Sequence, residues 1–276
     1  MDAAGPMGAS TTRERAPAAI VASVGIAWCA VVALEVGGEG HVLHHDAIIA
    51  GALPVGLMLV LFLLSWQLMV AAMMLPTAFP MIGLFTTVAR GDQHPRRSLA
   101  AFLGGYAVVW TAFGIVAIIG DAVVHGVVAA TPALNARPWL VTGFVLVAAG
   151  AAQLLPLTEA CLRACRHPFG LLLERYRPGS GGALRLGVDH GLFCLGCCWG
   201  LMLVMFAVGV ADLAWMAALT AVMVYERIGR RGARVAPWVG VAFMLYGALL
   251  VVHPAGVSAL IGGTGSPAHL HAGSSP

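Results

Sequence analysis

A chain of 276 residues that is 60% apolar and only 10% charged, with a mean hydropathy of +0.90, carries more apolar surface than a water-soluble fold can bury. Fifteen basic and twelve acidic side chains leave a formal +3, which marks membrane orientation and excludes a nucleic-acid partner. The expected class is all-α: a polytopic integral membrane helical bundle with the lipid bilayer as its first partner.

In chain order, residues 1–16 are rich in Gly, Ala and Pro and read as a disordered cytoplasmic tail, as residues 256–276 do for an outer tail; the transmembrane domain is residues 17–255. A span needs about 20 apolar residues at about 1.5 Å each. Seven stretches qualify: Ala18 to Val36, Leu53 to Ala89, Leu99 to Gly120, Trp139 to Leu157, His190 to Gly209, Leu213 to Ile228 and Pro237 to His253. Arg13 and Arg15 before the first stretch imitate a signal peptide, but bulky Trp28 ahead of Cys29 spoils a lipoprotein site, so an uncleaved anchor is expected. The second stretch is too long for one straight span and holds Pro76 and Pro80, which predicts a broken helix. Broken helices within membranes line something polar. Gly104, Gly105 and Gly114 in the third stretch suit close helix packing. Residues 158–189 read as a cytoplasmic loop with room for one short interfacial helix.

All fifteen basic residues are Arg, which points to a GC-rich bacterial genome and so to a multi-pass protein of the bacterial inner (cytoplasmic) membrane. Fourteen of them fall on one side, before the first stretch and in every second connection after it, and Arg137 alone falls on the other side. Short cytoplasmic loops retain basic residues, so the amino terminus is expected inside and the carboxyl terminus outside.

Chemistry concentrates in sulfur. Along the fifth stretch His190, Cys194, Cys198, Met202 and Met205 share one helical face, with Cys197 beside it. Cys161 and Cys165, four apart, form a second pair whose thiolate form Arg163 and Arg166 would favour, and His167 follows, so that five Cys and two His are expected to converge at one cytoplasmic mouth. Soft thiolates and thioethers select Cu(I), and thiolate with imidazole also suits zinc. In the second stretch Met69 and Met73, before Pro76, are candidates for a neutral conduit, whereas Met58, Met81, Met216, Met223 and Met244 read as packing, as does Cys29. The first outer loop offers His41, His44 and His45 among Glu35, Glu39 and Asp46 for capture of an outer metal ion, and Asp121 with His125 lies on the same side. His269 and His271 read as adventitious. Asp212, in a very short outer turn, is either an acceptor or simply hydrated, and Glu226 with Arg227 reads as an interfacial ion pair or a snorkelling Arg.

Three segments resemble the predicted metal-binding integral membrane proteins of the DUF2182 family, some of which are named as copper chaperones: Trp66 through Pro76 (W-x2-M-x3-MMLP), Leu157 through Pro168, and Gly191 through Met202 with its CxxCCW block. The likeness continues through Trp215, Met216 and Glu226 and spans about residues 50 to 250. Asp212 stands where that family usually has Asn, and Arg227 where it usually has Lys. The resemblance implies a metal-binding membrane protein with copper as the likeliest metal.

The primary expectation is therefore Cu(I) handling, delivery or transport without catalysis, with an intracellular or membrane copper acceptor as partner and room for a homo-oligomer. The competing expectations are a membrane thiol oxidoreductase using Cys194 and Cys197 with Cys161 and Cys165 as relay, and a structural membrane subunit.

Overall fold

Proline and apolar length decide where the helices begin and end. The computed structural model describes residues 17–37, 54–208 and 213–253, and no strand occurs among the described residues. The helices are α1 (Ala18–Val36), α2 (Val55–Met73), α3 (Leu75–Val88), α4 (Pro95–Ala130), α5 (Pro138–Gln153), α6 (Pro156–Arg166), α7 (Pro168–Arg175), α8 (Ser180–Val208), α9 (Leu213–Ile228) and α10 (Gly232–Val252). Four of them open on a proline, Pro95, Pro138, Pro156 and Pro168, where the missing backbone N–H would have had no helical partner in any case.

Four helices are long and apolar enough to cross a membrane, α1, α4, α8 and α10, and six spans result if each of two bent pairs counts as one. The first bent pair is α2 and α3, turned by 70° at Met74, as Pro76 and Pro80 predict. The second, α5 and α6, turns by 62°. The sequence reading ran the fourth span straight to Leu157; instead Leu155 is extended (φ −69°, ψ 139°) and Pro156 starts a new helix. Thr158 caps the break by donating to the Ala152 carbonyl at 2.7 Å. Helix α9, expected as a span of its own, has 16 residues and is shorter than the four.

The stretch between the fourth and fifth spans is mostly helix, not loop. Helix α8 begins at Ser180, ten residues before the expected stretch does, and its first turns carry Arg185 and Asp189 beside the buried Ala183 and Leu186. Asp189 on one of those turns pairs with Arg175 of α7 at 3.3 Å. Beside it, Ser98 and Tyr176 donate to Asp92 at 2.7 and 2.9 Å, tying α7 to the α3–α4 connection. These bonds, Ser98's foremost, hold the Asp92 carboxyl below the ordinary carboxylate range.

Helix α8 is the centre of the bundle: 56% of its apolar window is enclosed by protein, against 22% for each of the other three long helices. It packs along α4, where Gly105 meets the backbone of α8 at Leu184 and Val188. Gly114 likewise admits the Trp66 indole, whose Nε1 donates to the Trp110 carbonyl at 2.7 Å. Gly104, expected to share this role, has nothing within 4 Å of where a Cβ would lie.

That difference is testable. In Gly105→Ala the new methyl meets backbone that cannot yield, with Val188 N only 2.9 Å away, and a loss of about 1–3 kcal/mol is expected. Gly104→Ala serves as the neutral control, and thermal melting of the two variants in detergent distinguishes them.

Candidate metal centre

On α8, His190, Cys194, Cys197, Cys198, Met202 and Met205 are all buried, so the expected stripe is an interior face. The Cys197 and Cys198 thiols both turn back to the Cys194 carbonyl, at 3.2 and 3.0 Å, yet their sulfurs diverge. Cys197 Sγ lies 3.9 Å from Cys165 Sγ on α6, and Cys198 Sγ lies 3.8 Å from Met74 Sδ at the break between α2 and α3. The two chain segments that the sequence paired by sulfur content therefore meet.

Cys161 reaches the same junction by packing on Gly196, where a Cβ would stand 2.5 Å from its sulfur. The approach of α6 to α8 thus depends on that missing side chain.

The charge at the centre comes from Arg227 of α9, a buried guanidinium. One of its nitrogens donates to Cys194 Sγ at 2.9 Å and to the Thr77 hydroxyl; the other donates to Cys197 Sγ and to the Cys194 carbonyl, both at 2.9 Å. The Tyr106 hydroxyl of α4 lies 3.0 Å from Cys194 Sγ. No carboxylate forms an ion pair with Arg227 among the described residues. Its neighbour Glu226 turns elsewhere and accepts from the Gln153 amide at 3.1 and 3.3 Å.

Two sequence readings are corrected here. Arg227 neither pairs with Glu226 nor snorkels to an interface. Nor do Arg163 and Arg166 face the thiols: Arg163 pairs with Glu159 at the surface at 3.8 Å, and Arg166 donates to the backbone carbonyls of Glu226 and Gly229. The Glu226 contact is short, and the Gly229 contact is 2.9 Å.

The remaining candidates divide. His190 stands one turn from Cys194 against the rings of Phe102 and Tyr106, at centroid distances of 6.0 and 5.8 Å, and neither ring nitrogen has a hydrogen-bond partner among the described residues. Met69 and Met73 are buried in the same core, but the thioether that touches a thiol is that of Met74. Met81, Met216 and Met223 are buried packing residues, Cys29 is exposed on α1, and His167 is exposed at the α6–α7 junction. His125 pairs with Asp121 at 3.3 Å. His41, His44, His45, Asp212, His269 and His271 lie outside the described residues. Among the described residues no three His, Cys, Asp or Glu side chains stand ready to enclose a metal ion as they are.

A family model described as PpoB2, copper chaperone, matches residues 63–250, a stretch that contains every part of this sulfur centre. The chain belongs to the PpoB2 copper chaperone family. No curated protein and no solved structure matches it. Membership suggests copper handling and a non-catalytic role, with a metal ion as partner. The residues fit such a cargo: the donors are soft sulfurs, they are shielded from water, and His190 is a buried imidazole with both nitrogens unclaimed. Tyr106 and Thr77 escape the sequence reading, Met74 enters it only as part of the MMLP motif, and Arg227 only as an interfacial ion pair or a snorkelling Arg. For Arg227 the signal was its place in an apolar helix, hidden because Arg230, Arg231 and Arg234 made it look like one more cytoplasmic Arg.

Five of the six thiols are buried, which sets an expectation for alkylation. N-ethylmaleimide on the folded protein should leave the five buried thiols unmodified at early times, and all six should react only after unfolding, as counted by mass spectrometry.

Proposed function

We propose that the chain is a membrane Cu(I)-handling protein that holds its ion on the Cys194 and Cys197 sulfurs, with Cys165, Cys161 and Cys198 as adjoining ligands, and delivers it to a copper acceptor. The observation that carries this reading is the meeting of sulfurs from three chain segments, Cys165 to Cys197 at 3.9 Å and Cys198 to Met74 at 3.8 Å, around one buried guanidinium. Reduced copper prefers thiolate and thioether donors at low coordination number, and zinc is the second candidate by ligand type. Met69, Met73 and Met202 belong to the path, because neutral thioethers carry a soft cation through apolar surroundings without a further charge to bury. His190 is the nitrogen ligand nearest in sequence, one helical turn away from Cys194.

Membership of a copper chaperone family supports a non-catalytic role and ranks a thiol oxidoreductase second. We further assign seven spans, with α9 as the short sixth, the amino terminus in the cytoplasm and the protein in a bacterial inner membrane. The alternation of Arg supports that orientation. Capture of an outer ion by His41, His44 and His45 is the entry step on this reading.

Elemental analysis of anaerobically purified, reduced protein tests it. Wild-type protein is expected to carry about one copper per chain, and the Cys194→Ser, Cys197→Ser, Cys198→Ser triple variant is expected to lose at least about 90% of it. Full retention in a folded triple variant would sink the assignment.

A further inference from the structure

We propose that Arg227 sets the charge of the ion that the Cys194 and Cys197 pair accepts, and so selects a soft monovalent cation over a soft divalent one. The inference rests on the copper-handling reading and adds to it the group that discriminates.

The argument is one of charge balance in a buried place. A guanidinium keeps its proton at any accessible pH, so Arg227 contributes a fixed positive charge. Among the described residues no carboxylate pairs with it, and its side-chain partners are two sulfurs and a neutral hydroxyl. Glu226, the nearest acid along the chain, is held on another side by Gln153. A monovalent ion on two thiolates leaves one net negative charge, and the guanidinium 2.9 Å from each of those sulfurs cancels it. A divalent ion on the same pair is already neutral, so the guanidinium then stands as an unanswered charge in surroundings that solvate it poorly. To escape that penalty a divalent ion must recruit a third thiolate, from Cys165 or Cys198, and neither of these accepts a hydrogen bond from Arg227.

The hydrogen bonds also keep the charge in place. Arg227 is gripped by the Cys194 carbonyl and by Thr77, so it does not have to leave when the sulfurs turn to an ion.

The test compares Ag(I), a redox-inert monovalent probe, and Cu(I) with Cd(II), each added to purified protein under reducing conditions and read by competition against a chelator of known affinity. A background with Cys161, Cys165 and Cys198 replaced by Ser leaves the pair alone to be measured. In that background the protein with Arg227 is expected to bind Ag(I) and Cu(I) in preference to Cd(II). Arg227→Gln is expected to lower the Ag(I)-to-Cd(II) affinity ratio by about a hundredfold, the order expected for removing one unit charge within a few ångströms. Arg227→Lys, which keeps the charge and loses the fork, is expected to keep most of the ratio, and it decides the question if Arg227→Gln does not fold. An unchanged ratio in folded Arg227→Gln, or a ratio lost in folded Arg227→Lys, overturns the role of Arg227. Absence of any thiol-bound ion in wild-type protein overturns the copper-handling reading itself.

Discussion

The contact on which the rest of the centre depends is the grip of the Arg227 guanidinium on α8. Burying a guanidinium costs several kcal/mol even after relaxation, and the cost is tolerated only where its donors find acceptors. Arg227 finds them in the Cys194 and Cys197 sulfurs, the Cys194 carbonyl and the Thr77 hydroxyl. Each partner is set by a separate feature of the chain. The sulfurs come from the i, i+3 spacing on a helix, and Thr77 comes from the break at Met74 that turns α3 away from α2. Three helices are thereby fixed to one another through one side chain, and losing any of them would leave a charge without an answer.

The two helix breaks serve the same point. Pro76 ends the straight run of α2 and cannot donate to the Ala72 carbonyl, which takes the Trp28 indole N–H at 3.0 Å instead; the turn at Met74 sets that residue's sulfur 3.8 Å from Cys198. Pro156 does the equivalent in the fourth span, with Thr158 on Ala152, and aims α6 at α8. Helix α6 then carries Cys165 to Cys197 and, in the next residue, Arg166 to the last carbonyls of α9. A cation at a helix C-terminus is favourable there, so the same turn delivers a sulfur and steadies the helix that bears Arg227.

How much of this was legible follows from what each signal measures. Hydropathy finds helices that face lipid, so it locates the apolar runs and the break at Pro76, but it starts α8 at His190 because Arg185 and Asp189 interrupt the apolar run although the chain there is helical. Spacing finds residues that share a helix face, and the stripe from His190 to Met205 is buried as that spacing predicts. The meeting of Cys165 with Cys197 was an expectation from composition, and the turn at Leu155 is what makes it geometry. Contacts between elements distant in the chain have no such signature. Tyr106 and Arg227 lie 88 and 33 residues from Cys194, and the methionine that meets a thiol is the one beside the expected pair. Charge counting hid Arg227, since a basic residue at the end of an apolar run is read as topology before it is read as chemistry.

Adjacent residues on a helix point about 100° apart, and that gives Cys197 and Cys198 different partners. One faces α6 and the other faces the break at Met74, while Cys194 stands a turn behind both. The sulfurs consequently form a row across α8, with Met74 beside Cys198 at one end and Cys165 beside Cys197 at the other, that joins one broken helix to the other. On the proposed reading an ion held at low coordination moves along such a row by exchanging one sulfur for the next, never passing through a bare state. The neutral thioether stands at one end of the row and thiols at the other, with the fixed positive charge beside the middle pair.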